Sequence, residues 1–108
     1  MNKRVFRATG AAAISETLAP TTAFQIEEIR LHLSAAGATP ENLTVTLDSD
    51  AAAAYDARFL TQDMNAIQDV VWQPTRPLVF SNGDEIDIAY ANTDTRTWGL
   101  EIYWSPIF

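Results

Sequence analysis

The chain is expected to be all-β, a jelly-roll-like antiparallel β-sandwich of about eight strands with an extended N-terminal arm. Three observations carry this expectation. Apolar and polar residues alternate with period two along most of the chain, the pattern of strands with one face buried. Turn-forming residues punctuate the alternation every eight to twelve residues or so, as in sandwiches and barrels rather than βαβ units. One long connection, Asp48 to Ala57, suits a passage between two sheets better than a hairpin. With 108 residues there is room for one core, divided here into an arm over 1–20 and a sandwich over 21–108.

The elements follow in order. Arg4–Thr9 and Ala12–Leu18 read as strands separated by Gly10 and closed by Ala19-Pro20. Residues 24–33 alternate, but Glu27 and Glu28 are adjacent polar residues, so the phase slips there. A β-bulge of one extra residue restores the inward facing of Ile29, Leu31 and Leu33. In 43–48, Leu43, Val45 and Leu47 form the apolar set. Asp50–Tyr55 is the one helix-prone stretch, enough for a single surface turn. Ala57–Thr61, Asp69–Gln73 and Pro77–Phe80 are shorter strand candidates. Asn82-Gly83 reads as a tight hairpin joining Pro77–Phe80 to Glu85–Tyr90, since both residues tolerate positive φ. In the last strand Trp98, Leu100, Ile102 and Trp104 share one face.

Composition narrows the functional classes. The chain has 47% apolar and 19% charged residues, which favours a packed globule. It has no cysteine, so neither a disulfide framework nor a thiolate zinc site can be built. The start has a basic residue pair, but Arg7 interrupts the apolar run, so no signal peptide is expected. No run of about 18 apolar residues exists to span a membrane. The formal charge of −7 is uneven: Lys3, Arg4 and Arg7 lie near the start, while the remainder holds four arginines against all fourteen acids. Such a body repels phosphate backbones, so nucleic acid is not an expected partner. A basic arm on an acidic body instead suits docking onto a neighbouring copy, or is simply solvated.

No chemistry of catalysis assembles. His32 is the only histidine, it falls on the polar parity of its strand, and no Gly-x-Ser-x-Gly elbow accompanies it. Pairs among fourteen acids arise by chance and specify nothing. Asp48-Ser49-Asp50 resembles half of a calcium loop but lacks the glycine and the closing glutamate. Asp84 reads as a turn residue. With four glycines and no phosphate-binding loop, no cofactor, no metal and no enzymatic activity are expected. Of the tryptophans, Trp98 and Trp104 share the buried parity. Trp72 and Tyr103 are the better candidates for exposed rings, either as a subunit contact or as a platform for a sugar.

The second half runs through Val71-Trp72-Gln73-Pro74, Pro77-Leu78-Val79-Phe80-Ser81-Asn82-Gly83-Asp84, Ile86–Asn92 and Trp98–Trp104. In this, residues 23–108 resemble small β-sandwich structural virion proteins of tailed bacteriophages, the capsid decoration or cement proteins and the neck or tail adaptors. The resemblance implies a homo-oligomer assembled in the host cytoplasm and carried on the virion. It implies contact with the major capsid protein or other virion proteins, the bridging of neighbouring shell subunits, and no catalytic residues. An N-terminal segment able to add to a neighbour's sheet edge and an apolar end at Ile107 and Phe108 agree with it. The expected partner contacts are therefore Lys3, Arg4, Arg7, Trp72, Tyr103, Ile107 and Phe108. The alternative is a non-catalytic carbohydrate-binding module.

Overall fold

A computed structural model describes residues 3–107; Phe108, one of the expected contacts, lies outside them. Among the described residues, nine strands form two antiparallel sheets. They are β1 (Arg4–Gly10), β2 (Ile14–Leu18), β3 (Ala23–Leu33), β4 (Asn42–Asp48), β5 (Arg58–Asp63), β6 (Asp69–Trp72), β7 (Leu78–Phe80), β8 (Glu85–Tyr90) and β9 (Trp98–Ile107). The wide sheet has the order β1-β9-β3-β6, with β7 also on β3, and the narrow sheet has the order β2-β8-β4-β5. β6 pairs with Ile29–His32 and β7 with Phe24–Ile26, so the two are halves of one interrupted strand along β3. Counted that way, each sheet has four strands and the connectivity is that of a jelly roll. No helix of the described residues is long and apolar enough to cross a membrane.

Period-two patterning builds the core between the sheets. Phe24, Ile26, Ile29, Leu31 and Leu33 of β3 are all buried, as are Leu43 and Val45 of β4, Ile86, Ile88 and Tyr90 of β8, and Trp98, Leu100 and Ile102 of β9. The register of β3 against β9 shifts between Ile26 and Glu28. This is the bulge read from the adjacent glutamates: without the extra residue, Ile29, Leu31 and Leu33 would turn to solvent. The interruption between β6 and β7, residues 73–77, lies beside the same bulge. There Gln73 donates its side-chain amide to the Glu28 carboxylate.

Three expectations are corrected. The connection after Asp48 does not cross between sheets: β4 and β5 pair directly, from Asn42↔Asp63 to Thr46↔Arg58, so 49–57 closes a long hairpin within the narrow sheet. The single helical turn sits in that loop, at Ala53–Tyr55. Conversely, Ser81–Asp84 is not a hairpin turn, because β7 belongs to the wide sheet and β8 to the narrow one. Only Gly83 has positive φ there, at 98°, and the Asp84 amide donates to Ser81 O at 3.1 Å. A primed hairpin turn with φ > 0 at both central residues would match the twist of paired strands; this one passes the chain from one layer to the other. Buried Asp84 braces it, accepting the amides of Asp50 at 2.9 Å and Ser81 at 3.0 Å. Trp72, the third correction, is treated below.

The segment read as an arm, from Lys3 onward, is taken into both sheets. β1 pairs with β9 over Arg4↔Trp104 to Gly10↔Trp98, and β2 pairs with β8 over Ile14↔Tyr90 to Leu18↔Ile86. Both are edge strands. The loops at one end of the sandwich are gathered by buried Asn92, whose φ is 52°. Its Nδ2 donates to Ala11 O at 3.2 Å, Ala12 O at 3.0 Å and Arg96 O at 2.9 Å. Its Oδ1 accepts the Arg96 amide at 3.0 Å. A neighbouring loop admits no side chain at Gly37, where a Cβ would lie 2.5 Å from Met64 O.

Candidate functional site

The two outer faces differ in chemistry. On the narrow sheet the cross-strand pairs Thr44↔Ala89, Thr46↔Asp87, Asp48↔Glu85, Thr44↔Thr61 and Ser15↔Ala89 set out a surface of threonine, serine and acid. The large exposed aliphatic side chains lie elsewhere: Val5 at 40% exposure, Val71 at 64% and Val79 at 61%. All three stand on the outer face of the wide sheet, where Val5 pairs with Tyr103, Val71 with Arg30 and Val79 with Gln25.

That face is also knitted by charge. Arg7 Nε donates to Glu101 Oε2 at 2.7 Å, and the Tyr103 hydroxyl donates to Glu101 Oε1 at 3.4 Å. The Arg30 guanidinium carbon lies 4.6 Å from the Tyr103 ring centre, and the same guanidinium donates to the Tyr103 hydroxyl and to Glu28. These contacts hold carboxylates below their usual range, Glu101 chiefly through the hydrogen bond from Arg7, and Glu28 through those from Gln73 and then Arg30. Long side chains that would otherwise be free are thus placed in advance, which lowers the entropy cost of covering them.

The face has a hollow. Gly99 points outward from β9 with nothing within 4 Å of where its Cβ would be, and a depression of about 400 Å³ opens there. Arg7, Thr9, His32 and Glu101 rim it. His32 Nδ1 is paired with Asp69, and the Thr9 hydroxyl is committed to Trp98 O at 2.7 Å. The hollow therefore offers shape and charge, and its one hydroxyl is not aimed at the imidazole. Among the described residues no three His, Asp or Glu side chains converge to hold a metal ion, Asp48 and Asp50 included.

The residues expected from sequence divide. Arg7 and Tyr103 belong to the network just described. Lys3 is exposed beside it, lining a smaller depression of about 250 Å³ with Glu28, Arg30 and Tyr103. Arg4 is exposed at the edge, its guanidinium 5.6 Å above the Trp104 ring. Ile107 is half-buried at the end of β9, opposite Ala23. Trp72 departs from expectation: it shares the inward parity of Val70, lies opposite Ile29 and stacks on Phe59, centroids 6.4 Å apart at 14°. It is half-buried and packed against the core, not a freely exposed ring. Missed from sequence were Val5, Val71, Val79 and Gly99. Their signal was present as apolar or absent side chains at outward parity, but only the register puts them on one surface.

No protein-family model matches the chain, and no curated protein matches it. Among solved structures, the nucleoplasmin-like N-terminal domain of Drosophila FKBP39 aligns with 98% of this chain and 92% of that chain, at 17% identity and a TM-score of 0.48.

Proposed function

We propose that this chain is a structural subunit that works by docking rather than by catalysis, and that it decorates a virion shell, bridging neighbouring shell subunits. The supporting observation is the outer face of the wide sheet, where three exposed valines and Tyr103 lie within a pre-ordered arginine and carboxylate network, while the opposite face is threonine and acid. Isolated surface aliphatic residues need no explanation, but three on one face, flanking a network of paired charges, fit a contact surface. The virion setting comes from the resemblance of residues 23–108 to phage β-sandwich proteins, and with it the major capsid protein as partner.

The test has two parts: a major capsid gene is expected beside the gene for this chain, and this chain is expected to co-sediment with shells assembled from that gene's product. Wild type is expected to pellet with shells, and Val71→Asp with Val79→Asp to weaken that binding at least about tenfold, since buried unpaired charge is costly. Equal binding by the variant, or no binding by wild type, overturns the reading. A sugar platform has less support: Trp72 is committed to Phe59, and Arg30 covers one face of the Tyr103 ring. Glycan-array binding lost on Tyr103→Ala would favour it.

A further inference from the structure

We infer that the outer face of the wide sheet docks on the same face of a second copy, about a two-fold axis running along the strands between β9 and β3. This rests on the docking reading above and deepens it: the pair is the unit that meets the shell, so damage to this face weakens shell binding through loss of the pair. The register supplies the argument. Gly99 is directly opposite His32, and Glu101 is directly opposite Arg30. A two-fold axis between those strands exchanges the two columns. The hollow at Gly99 then receives the partner's His32, and Glu101 meets the partner's Arg30, each contact occurring twice. In the flanking columns, the aliphatic stem of Arg7 lies over the partner's Val71.

Shape and charge agree on the occupant. Two faces packed about 10 Å apart leave room for a knob only where the facing side chain is absent, and Gly99 is the position with open space above it. A chain of net charge −7 repels its own copies in general. Asp48, Glu85 and Asp87 would oppose contact through the narrow sheet, whereas on the wide face Arg7 and Arg30 offset Glu28 and Glu101. An isologous contact needs a surface complementary to itself, and Glu101 beside Arg30 is such a pair. Four strands by four outward rows cover roughly 19 × 27 Å, so the two faces together bury about 1,000 Å², the lower end for a specific dimer.

The experiment is sedimentation equilibrium over a concentration series. Wild type is expected to dimerise. Gly99→Val, whose Cβ has nothing within 4 Å in the monomer, is expected to keep or raise the melting temperature while weakening the dimer at least about tenfold. Glu101→Arg and Arg30→Glu each place like charges together twice and should be monomeric alone. Mixed one to one, they should dimerise, because both contacts then join opposite charges. A monomeric wild type, Gly99→Val dimers as tight as wild type, or a mixture that stays monomeric although both variants fold by circular dichroism, each overturns the inference. If that happens while shell binding still fails on Val71→Asp with Val79→Asp, the docking function stands and only its partner changes. Loss of shell binding by wild type would instead sink the docking reading itself.

Discussion

The outer faces of the two sheets are made from strands of one kind and differ in chemistry. On the narrow sheet, Thr44, Thr46, Asp48, Glu85 and Asp87 favour water, and Asp48 stands directly across from Glu85 with like charge. On the wide sheet, Arg7, Glu101, Arg30, Tyr103 and Glu28 hold one another, with Val5 on one margin and Val71 and Val79 on the other. Both faces back onto the same core, so core packing does not account for the difference. A sheet needs only one apolar face to fold, and the other is free to be shaped by what it touches. Paired, ordered charge suits the face proposed to be covered; directly opposed like charge suits a face left in water.

The comparison presupposes that the sheets are locked together, and the largest expected effect removes that lock. Asn92→Ala loses four hydrogen bonds joining 11–12, 92 and 96 and leaves a non-glycine residue at positive φ without its side-chain support. A loss of about 2–4 kcal/mol is expected, read as a fall in denaturant midpoint. Both faces should loosen together, so both β1 and β2 amides should lose exchange protection.

A smaller change sharpens the contrast. Directly opposed like charges on a sheet are unfavourable, so Asp48→Asn is expected to stabilise by about 0.2–1 kcal/mol, seen in thermal melts, with shell binding and dimerisation unchanged. Removing charge from the wide face by Glu101→Gln should do the reverse, lowering stability and weakening association.

The smallest effect is in pH. Glu28, Glu101 and Asp94 have folded pKa values lowered by donors: Gln73 and Arg30 for the first, Arg7 for the second, the Ala38 amide for the third. A lowered folded value means that the stabilisation is present above the unfolded carboxylate range and is lost as pH falls through the folded value. Melting temperature should thus hold steady above about pH 5 and decline below about pH 4.5. Glu28→Gln together with Glu101→Gln should flatten that decline, and a decline of unchanged steepness in this variant would refute the assignment to the wide face.

How far this was legible in the sequence depends on the kind of information. Alternation shows which side of a strand faces inward, and the bulge at Glu27-Glu28 was readable because two adjacent polar residues break the parity. Which sheet a strand joins is not written in alternation. Asn82-Gly83 looked like a hairpin because its residues permit one, yet the strands it joins lie in different layers. The jelly-roll expectation was correct, while the connection offered in its support, 49–57, proved to be a hairpin. Trp72 was misjudged because Val70-Val71-Trp72 is an unbroken apolar run, and only pairing with Ile29 and Leu31 assigns its parity. The candidate face was least legible of all. Val5, the pair Val71 and Val79, and Gly99 come from three separate parts of the sequence, and Arg7 and Tyr103 were chosen for charge and ring rather than for shared position.

The broken strand opposite the bulge has one more consequence. A ribbon of molecules joined side by side needs two open margins on each sheet, one to give and one to receive. In the wide sheet β1 offers seven residues without interruption, but the other margin is split between β6 and β7 by a stretch holding Pro74 and Pro77, which have no amide hydrogen to donate. Lateral growth of that sheet has no second matching margin on which to continue, so the sheet with the partly apolar face is protected from seeding a fibre through its edges.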